Sequence, residues 1–161
     1  MPRKYVSPDR LQKPEPRYGN LLLTKFINCV MKQGKKSTAQ AIVYGALDTV
    51  GKRLPGEDPV KIFQTALNNV KPMVEVRSRR VGGATYQVPV DVGTKRQQSL
   101  AIRWILETSR KKRGKAMSER LAEEFILASR REGGAYLTRE NVHKMAEANK
   151  AFAHFAWGRS R

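Results

Sequence analysis

The feature that most restricts the fold is a single change of hydrophobic period. Up to Pro72 the apolar side chains recur at three- and four-residue spacing, the period of a helix with one buried face. Then Val74, Val76 and Ser78 alternate with Glu75, Arg77 and Arg79, and Tyr86, Val88 and Val90 with Gln87 and Pro89, around Gly82-Gly83. That alternation predicts a β-hairpin. From Thr94 the helical period returns. One hairpin with no third strand to join cannot supply a sheet core, so the interior has to come from helices.

Six helical stripes are legible. The first carries Leu22, Leu23, Phe26, Ile27, Val30 and Met31 and stops at Gly34. Ser37 with Gln40 reads as a capping box for the second, whose stripe is Ala39, Ile42, Val43, Ala46, Leu47 and Val50. Asp58-Pro59 predicts a capped start for the third, which carries Val60, Phe63, Leu67 and Val70 and ends at Pro72. Thr94 and Gln97 form a second capping-box pattern before Leu100, Ala101, Trp104, Ile105 and Thr108. Ser118 opens a fifth helix with Leu121, Ala122, Phe125 and Ile126, ended by Gly133-Gly134. Thr138 is expected to cap the sixth, with Val142, Met145, Ala146, Phe152 and Ala153 inward.

The expected fold is therefore mainly α: a six-helix, bundle-like domain over residues 19–161, with a protruding two-stranded β-ribbon (residues 73–91) between helices three and four. Residues 1–18 hold four of the eight prolines and no helical period, and are expected to form an extended basic arm. In the ribbon, a two-residue turn would set Arg77 opposite Val88 and mix basic with apolar side chains. A three-residue loop would align Val74 and Val76 with Val88 and Val90, and is the expected arrangement, because a one-residue slip flips every side chain. Pro89 is tolerable where both strands are edges.

Charge then narrows the function. The chain has 161 residues and a formal net charge of +18, with 40% hydrophobic residues, enough for a packed core. The excess is segregated: +7 over residues 1–36, zero over 37–70, +9 over 71–115, zero over 116–155, and +2 from Arg159 and Arg161. Such clusters attract polyanions. No apolar run approaches a membrane span, and no secretory leader is expected at the basic, proline-interrupted N-terminus. A single cysteine, Cys29, permits no internal disulfide and reads as a small core residue.

Enzyme patterns fail. Gly34-Lys35-Lys36-Ser37 resembles the end of a phosphate-binding loop, but Cys29 and Lys36 stand where that motif needs Gly and Ser or Thr. His143 and His154 are too far apart to share a metal, and Glu123 with Glu124 is a helix-face pair rather than an acid/base dyad. No catalytic residue, metal or cofactor is expected. The ribbon is the sharpest binding element, with Arg77, Arg79 and Arg80 before the Gly82-Gly83 tip and Tyr86 beyond it.

At this point the residues become recognisable. Asn20-Leu21-Leu22-Leu23-Thr24-Lys25-Phe26-Ile27-Asn28, then Gly34-Lys35-Lys36-Ser37 and Ile42-Val43-Tyr44, resemble the signature of the bacterial-type small-subunit ribosomal protein seven family. The run from Glu75 through Val90 resembles that family's ribbon almost residue for residue, and Arg103-Trp104 and Phe152-Ala153-His154-Phe155 also fit. The resemblance spans essentially the whole chain. It implies a non-enzymatic structural protein that binds the 3′ major domain of small-subunit ribosomal RNA and nucleates assembly of the head. It further implies a place near the decoding centre, the exit-site transfer RNA and the messenger path, beside ribosomal proteins nine and eleven of the small subunit. Some members also repress translation of their own operon.

Carried onto this sequence, the resemblance puts RNA contacts on Arg3, Lys4 and Arg10 of the arm, Lys35 and Lys36 of the first turn, and Arg77, Arg79 and Arg80 of the ribbon. The loop bases Arg110, Lys111, Lys112, Arg113 and Lys115 follow, with Lys95 and Arg96 in the same charge block. Gly82, Gly83, Tyr86 and Trp157 are expected nearest transfer and messenger RNA. The implied location is the small ribosomal subunit in the cytoplasm, with no membrane contact and no obligate homo-oligomer. The alternative is a DNA-architectural protein using the ribbon as a minor-groove arm, although the Val81-Gly82-Gly83-Ala84 tip lacks a large wedge.

Overall fold

The helices begin and end where local chemistry can satisfy their free backbone groups. In the computed structural model, which describes residues 12–156, α1 (Leu21–Val30) starts at Asn20, whose side-chain oxygen accepts from the N–H groups of Leu22 and Leu23. After a tight turn with Gln33 and Gly34 at positive φ, α2 (Lys36–Arg53) follows. The expected Ser37 capping box does not form, because that turn places Lys35 at the cap. For α3 (Pro59–Val70) the sequence expectation holds: Asp58 accepts from Val60 N–H at 2.9 Å, ahead of Pro59.

Strands β1 (Val74–Val81) and β2 (Ala84–Asp91) form an antiparallel ribbon, and α4 (Thr94–Lys111), α5 (Met117–Ser129) and α6 (Gly133–Ala148) complete the helices. A 3-10 helix, Lys150–Phe155, closes the described chain. No helix among the described residues is long and apolar enough to cross a membrane. At α4 the cap is Gly93, and the Gln97 side chain donates to Val92 O instead of closing a capping box. Ser118 lies one residue inside α5.

The Gly133-Gly134 pair opens α6 rather than merely ending α5, and Thr138 is an interior residue whose hydroxyl donates to Gly134 O. The physical reason lies on α5. The Glu124 carboxylate accepts from Ala135 N–H at 2.8 Å and does the work expected of a capping hydroxyl. Met145 and Ala153, expected inward, are exposed; Ala153 lies past Ala148, where the chain leaves α-helical geometry.

At the centre, the rings of Phe26 (α1), Phe63 (α3) and Phe125 (α5) meet at centroid distances of 5.3, 5.3 and 5.4 Å, two of the three pairs edge to face. All three are fully buried. Truncation of any one to Ala would cost about 3–5 kcal/mol by the usual large-to-small cavity scale. Around them pack Leu23, Ile27, Val43, Leu47, Leu67, Ile105 and Leu121.

The ribbon corrects one expectation. Its register pairs Arg77 with Val88, Glu75 with Val90 and Arg79 with Tyr86, so the turn has two residues, not three. Gly82 and Gly83 take φ of 57° and 88°, as a turn with two positive-φ centres requires. The mixed face is accommodated because Glu75, buried at 8% exposure, pairs with Arg77 and Arg96, while Val88 beside it is 1% exposed. The arginine stems can cover apolar surface while their heads reach a carboxylate or water.

Where α4 crosses α6, a methyl group added at Gly134 would lie 2.5 Å from Thr108 Cγ2. Gly134→Ala should therefore cost roughly 1–3 kcal/mol, read from the midpoint of chemical denaturation. Adding Thr108→Ser should recover part of that cost. An unshifted midpoint for the single variant would contradict the close approach.

Candidate nucleic-acid interface

Helix α4 carries Lys95, Ser99, Ile102, Arg103, Leu106 and Arg110 along one stripe, roughly 22 Å long at 1.5 Å per residue. Facing it, α1 presents Lys25, Asn28 and Cys29, and the two helices wall a groove of about 720 Å³. Four cations line it (Lys25, Lys95, Arg103 and Arg110), with Glu107 the acidic residue among them. Segments some 70 residues apart thus place their charge on one surface.

The groove continues at both sides. Arg110 also lines a cavity of about 300 Å³ at the first turn with Lys32 and Lys35, and its guanidinium donates to Val30 O at 3.4 Å, at the carbonyl end of α1. Asn28 and Gln12 are shared with a third cavity of about 430 Å³, lined in addition by Lys13 and Lys36. Cys29 is exposed in the main groove rather than buried in the core. Partial burial pushes its thiol pKa up, against the opposing pull of Arg103, Arg110 and Lys25.

Three buried carboxylates hold the pieces of this surface in place. Glu15, 4% exposed, accepts from the N–H groups of Arg17 and Tyr18 and from Tyr44 Oη at 2.7 Å, tying residues 12–18 to α2. Arg17 itself pairs with Asp48 of α2 at 2.7 Å. Glu75 joins the ribbon to α4 through Arg96, at 3.3 Å, and also holds Arg77. Glu124, 0% exposed, binds Lys112 Nζ at 2.8 Å and Ala135 N–H, linking the loop after α4 to the start of α6.

These anchors divide the residues expected to meet RNA. Lys112, Arg96 and Arg77 are ion-paired to buried carboxylates, and Lys115 pairs with Glu123. That ammonium, by hydrogen bond first, holds the Glu123 carboxyl below its usual range. Arg79 donates to Phe155 O, and Tyr86 is half-buried against Phe152 and Phe155. Lys35, Lys36, Arg80, Lys111 and Arg113 are exposed, as are Gly82 and Gly83 at the ribbon tip. Lys95 and Arg110 line the groove. Arg3, Lys4, Arg10 and Trp157 lie outside the described residues.

Lys25 and Arg103 do not belong to the expected set, yet the groove is built around them. A signal for Arg103 is present in the sequence: Lys95, Ser99 and Arg103 stand at i, i+4 and i+8, one helix face.

The fold and groove define a class: a helical body with a braced ribbon that gathers charge from distant segments onto one surface. Comparison with known proteins makes this particular. Residues 2–150 match the family described as ribosomal protein S7p/S5e. The small ribosomal subunit protein uS7 of Rhodopirellula baltica is 58% identical over 144 residues, covering 89% of this chain and 92% of its own length. The uS7 proteins of Methylibium petroleiphilum (56% identical, 96% of this chain, 99% of its own) and Halorhodospira halophila (53% identical, 98% and 100%) are similarly close. The chain belongs to the ribosomal protein S7p/S5e family and is a structural, non-enzymatic component of the small ribosomal subunit.

Burial, and then the hydrogen bond to Glu15, push the Tyr44 phenol from 10.0 to about 12. A raised folded-state value favours the protonated phenol, so its contribution to stability is complete below pH 10 and fades as pH rises towards 12. Thermal midpoints followed through this window should fall more steeply for the native chain than for Tyr44→Phe. Parallel profiles would show that the Glu15–Tyr44 hydrogen bond does not anchor the N-terminal segment.

Proposed function

We propose that this chain is a primary binder of small-subunit ribosomal RNA and that the α1–α4 groove is its main RNA surface. The observation that carries this is the convergence of Lys25, Lys95, Arg103 and Arg110 in one groove. Phosphate contacts supply most of the affinity of such a protein, and cations drawn from distant segments can clamp RNA strands in one arrangement. The exposed bases Lys35, Lys36, Lys111 and Arg113 extend the surface past the first turn and the end of α4, and Arg80 adds a contact on the ribbon. The arm residues Arg3, Lys4 and Arg10 are assigned to the same RNA.

The family resemblance supports the finer reading. The RNA is the 3′ major domain, and binding nucleates the head of the subunit. The ribbon tip at Gly82-Gly83 lies near exit-site transfer RNA and messenger RNA, with Tyr86 and Trp157 nearby. Ribosomal proteins nine and eleven of the small subunit are its neighbours. Membership of a ribosomal protein family favours RNA over the duplex-DNA alternative.

The test is a filter-binding titration with an RNA fragment of the 3′ major domain at several salt concentrations. Lys25→Ala with Arg103→Ala should weaken binding at least about tenfold and lower the salt slope by about 1 for each phosphate left unneutralised. Lys52→Ala with Lys61→Ala, on the neutral stretch, should change neither. Equal weakening by the two pairs would remove the groove from the RNA surface.

A further inference from the structure

A two-stranded ribbon in water does not hold a fixed direction by itself. Here its root is held against the helices: both strands pack on α6, Met73 N–H donates to His143 Nε2 of α6 at 3.2 Å, and Glu75 pairs with Arg96 of α4. From that root the strands run eight residues to the turn, roughly 26 Å of extended chain. Contacts at the root alone leave the outer part of such a lever free to swing.

The 3-10 helix supplies a further attachment farther out. Side chains three residues apart eclipse one another on a 3-10 helix, so Phe152 and Phe155 project from it in the same direction. Tyr86 of β2 packs against both, with ring centroids 5.2 Å from Phe152 and 5.1 Å from Phe155. Its cross-strand partner Arg79 donates to Phe155 O, so both strands are held at the same level. A continued α-helix would offset the two rings by about 60° around its axis instead of eclipsing them. The change to 3-10 geometry follows Ala148, where the Asn149 side chain donates to Met145 O.

We propose that the 3-10 helix Lys150–Phe155 is a latch, and that Phe152 and Phe155 are positioning residues that fix the direction of the ribbon relative to the basic groove. Through the ribbon they set where its tip and Arg80 meet RNA, a consequence that rests on the RNA-binding function proposed above. Tyr86 and Arg79 act from the ribbon's inner face, and the RNA is met by the outer face and the tip.

Native-state hydrogen exchange on the full chain tests the latch without RNA. In Phe152→Ala/Phe155→Ala the ribbon amides should exchange roughly tenfold faster, the change expected on removing two aromatic pairs. Amides of α1, α3 and α5 should keep their native rates, and Phe152→Tyr/Phe155→Tyr should behave as the native chain. Unchanged ribbon exchange, or equal acceleration of ribbon and core, overturns the latch. With the 3′ major domain fragment, the Ala variant should bind several-fold more weakly with an unaltered salt slope. Equal affinity despite a loosened ribbon removes the positioning role, whereas a native chain that does not bind the fragment refutes the RNA reading and leaves the exchange result standing.

Discussion

The meeting of Phe26, Phe63 and Phe125 governs how everything around it is arranged. A chain with a net charge of +18 resists compaction, so its apolar interior has to outweigh the repulsion. The three rings draw α1, α3 and α5 to one point, and α5 in turn carries Leu121, Ala122 and Ala128 into the same interior. Helix α4 closes the core with Ala101 and Ile105, which leaves its Lys95–Arg110 stripe turned towards α1. The basic groove is a consequence of how the core is filled.

Buried anions carry the second level of organisation. Glu15, Glu75 and Glu124 each fasten one joint: the N-terminal segment to α2, the ribbon to α4, and the loop after α4 to α6. Each is satisfied by hydrogen bonds, which is the condition for burying a carboxylate at tolerable cost. They also occupy Arg77, Arg96 and Lys112. Cations paired to a buried carboxylate thus brace the scaffold, whereas Lys35, Lys36, Arg80, Lys111 and Arg113 stand exposed at the surface.

That division explains what is and is not legible in the sequence. Apolar period locates the helical stripes and the ribbon, and Asp58-Pro59 the cap of α3, because those depend on neighbours within a few residues; the expected caps at Ser37, Thr94 and Thr138 do not form. The mixed face that argues against a two-residue turn is accommodated by Glu75 pairing with Arg96, 21 residues away, which the local pattern does not show. Glu124 reads as half of a surface pair, since nothing local shows that Ala135 and Lys112 converge on it. Cys29 flanks the apolar stripe of α1, and only the placement of α4 decides that it faces the groove. The segregation of charge points to three basic regions, but the meeting of the first two along α1 and α4 is a tertiary fact.

Whether ribosomal RNA binds in this groove can be read directly, because the chain carries its own probe. Cys29, the single cysteine, is exposed among Lys25, Arg103 and Arg110. A photo-crosslinker attached to that thiol, on protein bound to total ribosomal RNA, reports what lies in the groove. If the groove is the RNA surface, crosslinks will cluster in the 3′ major domain of small-subunit RNA and be suppressed by high salt. Crosslinks scattered over both subunits' RNA, or none from a bound complex, would contradict that assignment.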